Sequence, residues 1–293
     1  MDERRFYFKE RYGQIFHGSS DTIPVESYFV QDNPLYFKCL LELESSATPG
    51  RHYTNLALNT FLSHYCPKEA NVLDVGCGSA GFLDRFERIG ISGHYHGVDI
   101  RTQRGWHGLE NRLRFKMKAT FSEMPAEQMV FDQQFDFSVS SHSLEHQEFP
   151  QETLKRVYSA MKPGSFGLFF LPAPWALFLY GFHGWRNFQP KQIDALFSGS
   201  GFKIERLVGL GGMPSFLLHV LFVSWLETGK IFEILTAGRL HWRLRLIAEK
   251  LRIRAIRKDR FSIYKSLSRV LLPLDKVLPR PHHAYCVVFR RPK

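Results

Sequence analysis

The sequence predicts an α/β protein: a seven-stranded, mostly parallel sheet with helices on both faces. Three observations carry that prediction. Short runs rich in Val, Ile and Phe alternate with segments of helical periodicity, the pattern of a parallel sheet covered on both sides. A glycine-rich loop, Gly76–Gly81, stands directly between one such run and the next helical segment. The composition, 44% apolar and 23% charged over 293 residues, is that of an ordinary globular chain with ample core, which excludes global disorder and collagen-like or mucin-like structure.

Residues 1–53 are mixed in character, rich in Tyr and Phe, and carry turn signals at Gly18-Ser19-Ser20 and Thr48-Pro49-Gly50. They read as an N-terminal substrate or cap segment. The core is expected over 54–208. Leu56, Leu58, Phe61, Leu62 and Tyr65 predict a helix over Thr54–Cys66. Strands follow at Asn71–Val75, His94–Ile100, Leu113–Lys118, Phe135–Ser141, Ser165–Leu171 and Phe202–Val208. Helices are expected at Phe82–Ile89, Gln151–Met161 and Pro190–Ser200. Residues 209–283 read as a basic helical insertion, and 284–293 as the final strand of the core, Ala284–Arg290.

Four scattered cysteines with no CxxC pair exclude a disulfide framework, a zinc ribbon and a thioredoxin site. The first ten residues lack the apolar stretch of a signal peptide, so a reducing cytoplasm is the expected compartment. Two apolar stretches are long enough to test as membrane spans. Phe166–Phe182 contains Pro172 and Pro174 and reads as a strand and loop; Val208–Leu226 is broken by Gly211-Gly212 and Pro214. Charge is uneven. Of the net +11, Arg239–Lys293 contributes +13, with 16 Lys and Arg against 3 Asp and Glu, and the remainder is near neutral. An excess of this size attracts anions.

Gly76-Cys77-Gly78-Ser79-Ala80-Gly81 has the G-x-G-x-x-G spacing of a nucleotide loop, in which a helix N-terminus and glycine backbone approach a ligand. Asp99, at the end of the next strand, stands where a carboxylate accepts from both ribose hydroxyls.

These residues also carry a family resemblance. Val72–Gly81, with Asp74 two residues before the first glycine, resembles the first motif of class I S-adenosylmethionine-dependent methyltransferases, which have a Rossmann-like fold. Gly97-Val98-Asp99, Phe135–Val139 with Ser143–His146, Met161-Lys162-Pro163-Gly164, and Phe188–Ile193 leading to Gly201-Phe202 match in the same order. The resemblance covers about residues 54–210 and the final strand. It implies S-adenosylmethionine as cofactor, its methionine part held by Asp74 and the loop of Gly76, Cys77, Gly78 and Gly81, its ribose by Asp99. Ser140 belongs to the same expected set. Where many members have an acidic residue near the adenine, this chain has Ala119–Pro125, and Thr120 or Phe121 is expected to line that pocket.

Methyl transfer requires alignment of the acceptor and, for a hydroxyl, removal of its proton. In an open α/β sheet this occurs beyond the carboxyl ends of the strands, which places Ser140–His146 at the site. His142 is the candidate general base and His146 a second candidate. Some similar methyltransferases bind a divalent cation through Glu-x-x-Glu-His; here His142 replaces the first acid, and no metal is expected. The aromatic loop carrying Trp175, Tyr180, His183, Trp185 and Arg186 suits a ring-bearing acceptor. The last four are the expected substrate contacts.

In the insertion, Leu240, Leu244, Ile247, Leu251 and Ala255 share one helical face, and Trp242, Leu246 and Ile253 form a second apolar strip with cations between. One strip can pack on the core while the other meets an apolar substrate or an anionic membrane surface, with residues 239–280 as the contact. Trp242–Leu246 and Leu251–Arg257 also alternate as a strand would, but the absence of turn residues favours helix. The resulting reading is O-methylation of a lipid-linked glycan, sugar or quinone-like small acceptor by a cytoplasmic protein peripheral to the membrane's inner face. The alternatives are an RNA methyltransferase using the basic insertion and a non-catalytic S-adenosylmethionine-binding protein.

Overall fold

The computed structural model describes residues 23–30, 48–111, 116–180, 184–221, 224 and 260–293. Its centre is one sheet of eight strands: β1 Val25–Tyr28, β2 Glu69–Val75, β3 Ser92–Asp99, β4 Met117–Glu123, β5 Phe135–Ser141, β6 Met161–Pro172, β7 Lys203–Leu210 and β8 Ala284–Arg290. Their order is β1-β7-β8-β6-β5-β2-β3-β4, and only β8 runs antiparallel to its neighbours. After the edge strand β1, the chain crosses to β2 in mid-sheet, builds outward to β4, then returns to build the other half from β5. That reversal beside β2 creates the crevice where such sheets bind ligands.

The α/β class and the seven expected strands are present, and the eighth strand corrects the count. β1 comes from the N-terminal segment and pairs in parallel with β7, Val25 opposite Leu207 and Tyr28 opposite Leu210. Four residues give too short a run to stand out as a strand. Tertiary contacts hold it: the Tyr28 hydroxyl lies 3.0 Å from Thr60 Oγ1, and Glu26 takes an ion pair from Arg206.

Other boundaries also moved. Thr48-Pro49-Gly50 is not a turn but the start of helix α1, Pro49–Tyr65. The Thr48 hydroxyl accepts from Arg51 N–H at 3.3 Å, and Pro49 occupies the first turn, where its missing N–H costs nothing. The third core strand lies further along than Leu113–Lys118. In β4, buried Met117 and Ala119 alternate with exposed Lys118 and Thr120, as suits a strand at the edge of the sheet.

Helices α2 (Leu83–Arg88), α3 (Trp106–Glu110), α4 (Pro150–Ala160), α5 (Ala176–Tyr180) and α6 (Pro190–Ser198) complete the layers. One face of the sheet buries Tyr53, Leu58, Phe86, Tyr95 and Phe137 against α1 and α2. The other buries Leu73, Leu154, Ile193, Phe169 and Phe197 against α4 and α6. There Phe169, Phe197, Phe202 and Phe289 pack with ring centroids 4.7–6.2 Å apart. Such aromatic pairs contribute about 0.5–1.5 kcal/mol each beyond their burial.

Between β7 and β8 the described residues form α7 (Met213–Leu218) and α8 (Arg260–Leu274). Both apolar strips assigned to the insertion, Leu240 to Ala255 and Trp242 to Ile253, lie outside the described residues. Phe166–Phe182 divides between β6 and α5, and Val208–Leu226 begins in β7 and continues into α7. Among the described residues no helix is long and apolar enough to cross a membrane.

Candidate active site

The cleft lies beyond the carboxyl end of β2, with a volume of about 460 Å³, inside the range of small-molecule sites. Asp74, Gly76, Cys77, Gly78 and Gly81 all line it, as the sequence led us to expect. The floor is Asp74, buried to 2% exposure and accepting the hydroxyl hydrogen of buried Tyr95. Burial raises the Asp74 carboxyl to about 7, the Tyr95 hydrogen bond pulls it down, and Asp99 adds to the rise.

The loop needs glycine for two different reasons. Gly76 has φ +71°, and a Cβ there would lie 1.9 Å from Ser143 Oγ, so the loop after β5 packs directly on the glycine loop. Gly78 has φ +51°, yet a Cβ there would meet nothing within 4 Å. Its vacancy leaves backbone open to a ligand. Asp99 secures this loop from the side: its Oδ2 accepts from Gly78 N–H at 2.8 Å and its Oδ1 from Arg101 N–H at 3.3 Å. A carboxylate has about four acceptor sites, so lone pairs remain for a ribose.

Two of the expected cofactor residues face elsewhere. Ser140 is buried and donates to Val75 O at 2.7 Å, tying β5 to β2. Thr120 projects from the opposite face of the sheet, with its hydroxyl 2.7 Å from His96 Nδ1 and 3.0 Å from His94 Nε2. Phe121 is on the Asp74 side, stacked on Trp106 at 4.8 Å. The Trp106 indole N–H in turn donates to Gly78 O at 2.8 Å.

Ser79, within the glycine loop, and Ser141, within the expected Ser140–His146 segment, also line the cleft, with four residues that the sequence reading missed: Arg51, Asn55, Phe82 and Arg85. Strand parity identifies Ser141. Asp74 pairs with Val139, paired residues share a face, and Ser141 is the next on that face. Arg51 and Asn55 are spaced i, i+4 on α1, a relation hidden once the helix is started at Thr54. Arg51 Nη1 donates to Ser141 Oγ at 3.4 Å.

The loop after β5 holds the candidate bases. His142 turns the chain with φ +52° and donates its backbone N–H to Phe170 O at 2.9 Å. Its Nδ1 lies 3.4 Å from Glu145 Oε1, and 20% of its side chain reaches solvent. Glu145 is buried, and its Oε2 has no hydrogen-bond partner among the described residues. His146 is exposed on the same turn. Tyr180 joins the pair, its ring 6.1 Å from that of His142. Burial, with Glu145 adding to it against the pull of Arg51, pushes the phenol up to about 12, so it remains a donor. Trp185 and Arg186 are tied to the same turn, through Trp185 N–H to Glu145 O at 2.9 Å and Arg186 Nη1 to Gln147 O at 2.8 Å. His183 lies outside the described residues. No three His, Cys, Asp or Glu side chains gather to hold a metal among those described.

The donor set suits S-adenosylmethionine. The buried Asp74 would hold its ammonium, Arg51 and Arg85 would hold its carboxylate, and Gly78 leaves room for close approach of the chain. In sequence, residues 50–207 match the family model of a methyltransferase domain. No curated protein matches the chain. In fold it is similar to a protein described as a sarcosine dimethylglycine methyltransferase from Galdieria sulphuraria, at 12% identity and TM-score 0.51, with 98% of each chain covered. It is also similar to the [4+2]-cyclase SpnF, at 15% identity and TM-score 0.51, covering 92% of this chain and 99% of that one. At such identities the likeness is one of fold, and one fold hosts several chemistries. The sequence match spans more than half of the chain and contains the cleft: the chain belongs to the methyltransferase-domain family and is a class I S-adenosylmethionine-dependent methyltransferase.

Proposed function

We propose that the acceptor atom is a hydroxyl oxygen, deprotonated by His142, on a lipid-linked glycan, sugar or quinone-like ring compound approached at the face of a membrane. The observation that carries the oxygen acceptor is the His142–Glu145 pair, 3.4 Å apart at the end of β5, one residue from cleft-lining Ser141.

When bound, S-adenosylmethionine supplies a methyl group on a positively charged sulfur, with a neutral thioether as leaving group. The protein's own work is alignment and proton removal. Glu145 at Nδ1 favours the tautomer with its hydrogen on that nitrogen, leaving Nε2 to accept the hydroxyl proton. The carboxylate also stabilises the imidazolium that results. Tyr180, held neutral, is a hydrogen-bond donor for the acceptor. Arg51 and Asp74 fix the amino-acid end of the cofactor, which sets the direction of the methyl group and contributes through orientation. The aromatic Tyr180 and the partly exposed Trp185 suit a ring, and the +13 charge of Arg239–Lys293 suits an anionic surface nearby.

The test is methyl incorporation from labelled S-adenosylmethionine into membrane extracts. Incorporation into an alkali-stable ether that falls at least a hundredfold in His142→Ala supports the reading. Undiminished incorporation in that variant overturns the role of His142, and incorporation only into nucleic acid overturns the acceptor class.

A further inference from the structure

Seven of the twelve most exposed large apolar side chains among the described residues lie between Met213 and Leu278. They are ordered. On α7, Met213 and Leu217 and, one turn further on, Leu221 fall at i, i+4 and i+8. On α8, Val270 and Leu274 and, just past its end, Val277 fall at i, i+4 and i+7, with Leu278 beside them. In each helix the opposite face is buried: Ser215, Phe216 and Leu218 in α7, Ser268 and Leu272 in α8. The two helices are joined to each other. Met213 N–H donates to Leu278 O at 2.9 Å, and Ser215 N–H donates to Asp275 at 3.0 Å. Isolated exposed leucines are ordinary; two ordered stripes on helices bonded to each other form a patch.

The flanking charges identify what meets this patch. Lys276 and Arg280 are exposed beside Val277 and Leu278. In sequence, residues 225–259, which lie outside the described residues, add nine Lys and Arg against four Asp and Glu. A second copy would set like charges against each other. Single-stranded nucleic acid needs flat rings for its bases, and the seven side chains of these stripes carry none. Aliphatic stripes rimmed by cations match the boundary between headgroups and acyl chains of an anionic bilayer.

We infer that α7 and α8 form the face by which the protein lies on an anionic lipid surface, an inference that rests on the membrane-proximal acceptor proposed above. The position serves that acceptor. On the inner side of α7, His219 packs edge-on against Tyr180 with ring centroids 5.3 Å apart, and Tyr180 stands beside His142. An acceptor anchored in the bilayer would therefore reach the proposed base past α7 and the Tyr180 ring.

The full chain is sedimented with vesicles of phosphatidylcholine, alone and mixed with phosphatidylglycerol. Leu217→Glu and Val277→Glu are compared with Val130→Glu, the same change at a site 84% exposed elsewhere. Every protein is first shown to bind S-adenosylhomocysteine. Association with the mixed vesicles only, weakened by salt and reduced at least tenfold by Leu217→Glu and Val277→Glu but not by Val130→Glu, is the expected result. Equal loss in all three variants, equal binding to phosphatidylcholine alone, or a dimer that Leu217→Glu dissociates would overturn the inference. So would a wild-type protein that binds S-adenosylhomocysteine and ignores both vesicles, and that outcome leaves the methyltransferase assignment standing.

Discussion

Tyr95 donates its phenolic hydrogen to Asp74 at the floor of the cleft, and both side chains are buried. Burial raises the Asp74 carboxyl to about 7, and this hydrogen bond works against the rise. The cofactor's ammonium favours the ionised form of Asp74. Affinity for S-adenosylhomocysteine should therefore rise with pH to about 7 and level off above, with proton release on binding near neutrality. Calorimetry in two buffers of different ionisation heat measures that release, and Asp74→Asn should abolish both the slope and the release.

The same group acts on stability with a definite sign. An unfolded aspartate loses its proton near pH 3.9, whereas Asp74 in the fold keeps it to about 7. Between those values the folded chain binds more protons, so this contribution to stability declines as pH rises through the window and is constant above it. The melting temperature of Asp74→Asn relative to wild type should accordingly increase from pH 5 to pH 7 in buffer without cofactor. A difference independent of pH would contradict the buried, protonated state.

Gly76→Ala and Gly78→Ala should separate folding from binding. Both carry positive φ, which costs a residue with a Cβ about 1–2 kcal/mol. Only at Gly76 does the added atom also collide with Ser143. That variant should lose the larger share of melting temperature, at about 2–4 °C per kcal/mol. Gly78→Ala should melt closer to wild type yet bind S-adenosylhomocysteine at least tenfold more weakly, because its Cβ enters the cleft.

The physics of visibility explains what could be read in the chain beforehand. Buried central strands such as β2 and β5 announce themselves by composition, and the glycine loop by the backbone freedom it requires. β1 is held by Tyr28–Thr60 and Glu26–Arg206, contacts between residues far apart in sequence, and no local signal encodes them. Arg51 and Arg85 reach the cleft from helices packed beside it, so their part depends on packing. Ser140 and Ser141 were distinguishable: the two-residue period of β5, anchored on the Asp74–Val139 pair, selects Ser141. Thr120 was expected on a loop and instead lies in an edge strand, whose polar outer face masked its extent.

Glu145→Gln and His142→Ala should differ in kind. As a proposed base, His142 contributes about 10²–10⁴-fold, so its loss should lower kcat by that range and leave S-adenosylhomocysteine binding intact. Glu145 acts through His142, as a positioning residue. Its amide variant should move the acidic limb of the pH–rate profile to lower pH as well as lower kcat, because the imidazolium loses its carboxylate. A kcat loss with an unmoved pH profile would make Glu145 merely structural.

Arg51→Ala should weaken S-adenosylhomocysteine binding by about tenfold, or 1.4 kcal/mol, and Arg51→Lys should recover only part of it, since a lysine lacks the planar fork. Equal affinity in all three proteins, measured by titration, would remove Arg51 from the cofactor site.

The central claim is that the cleft beside β2 holds S-adenosylmethionine with Asp99 as both loop tie and ribose ligand. Calorimetric titration of S-adenosylhomocysteine into wild type, Asp99→Asn and Asp99→Ala tests it most directly. The account predicts micromolar binding to wild type, at least tenfold loss in Asp99→Ala, and an intermediate value in Asp99→Asn, which keeps one acceptor oxygen. A folded wild-type protein that binds no S-adenosylhomocysteine would contradict it.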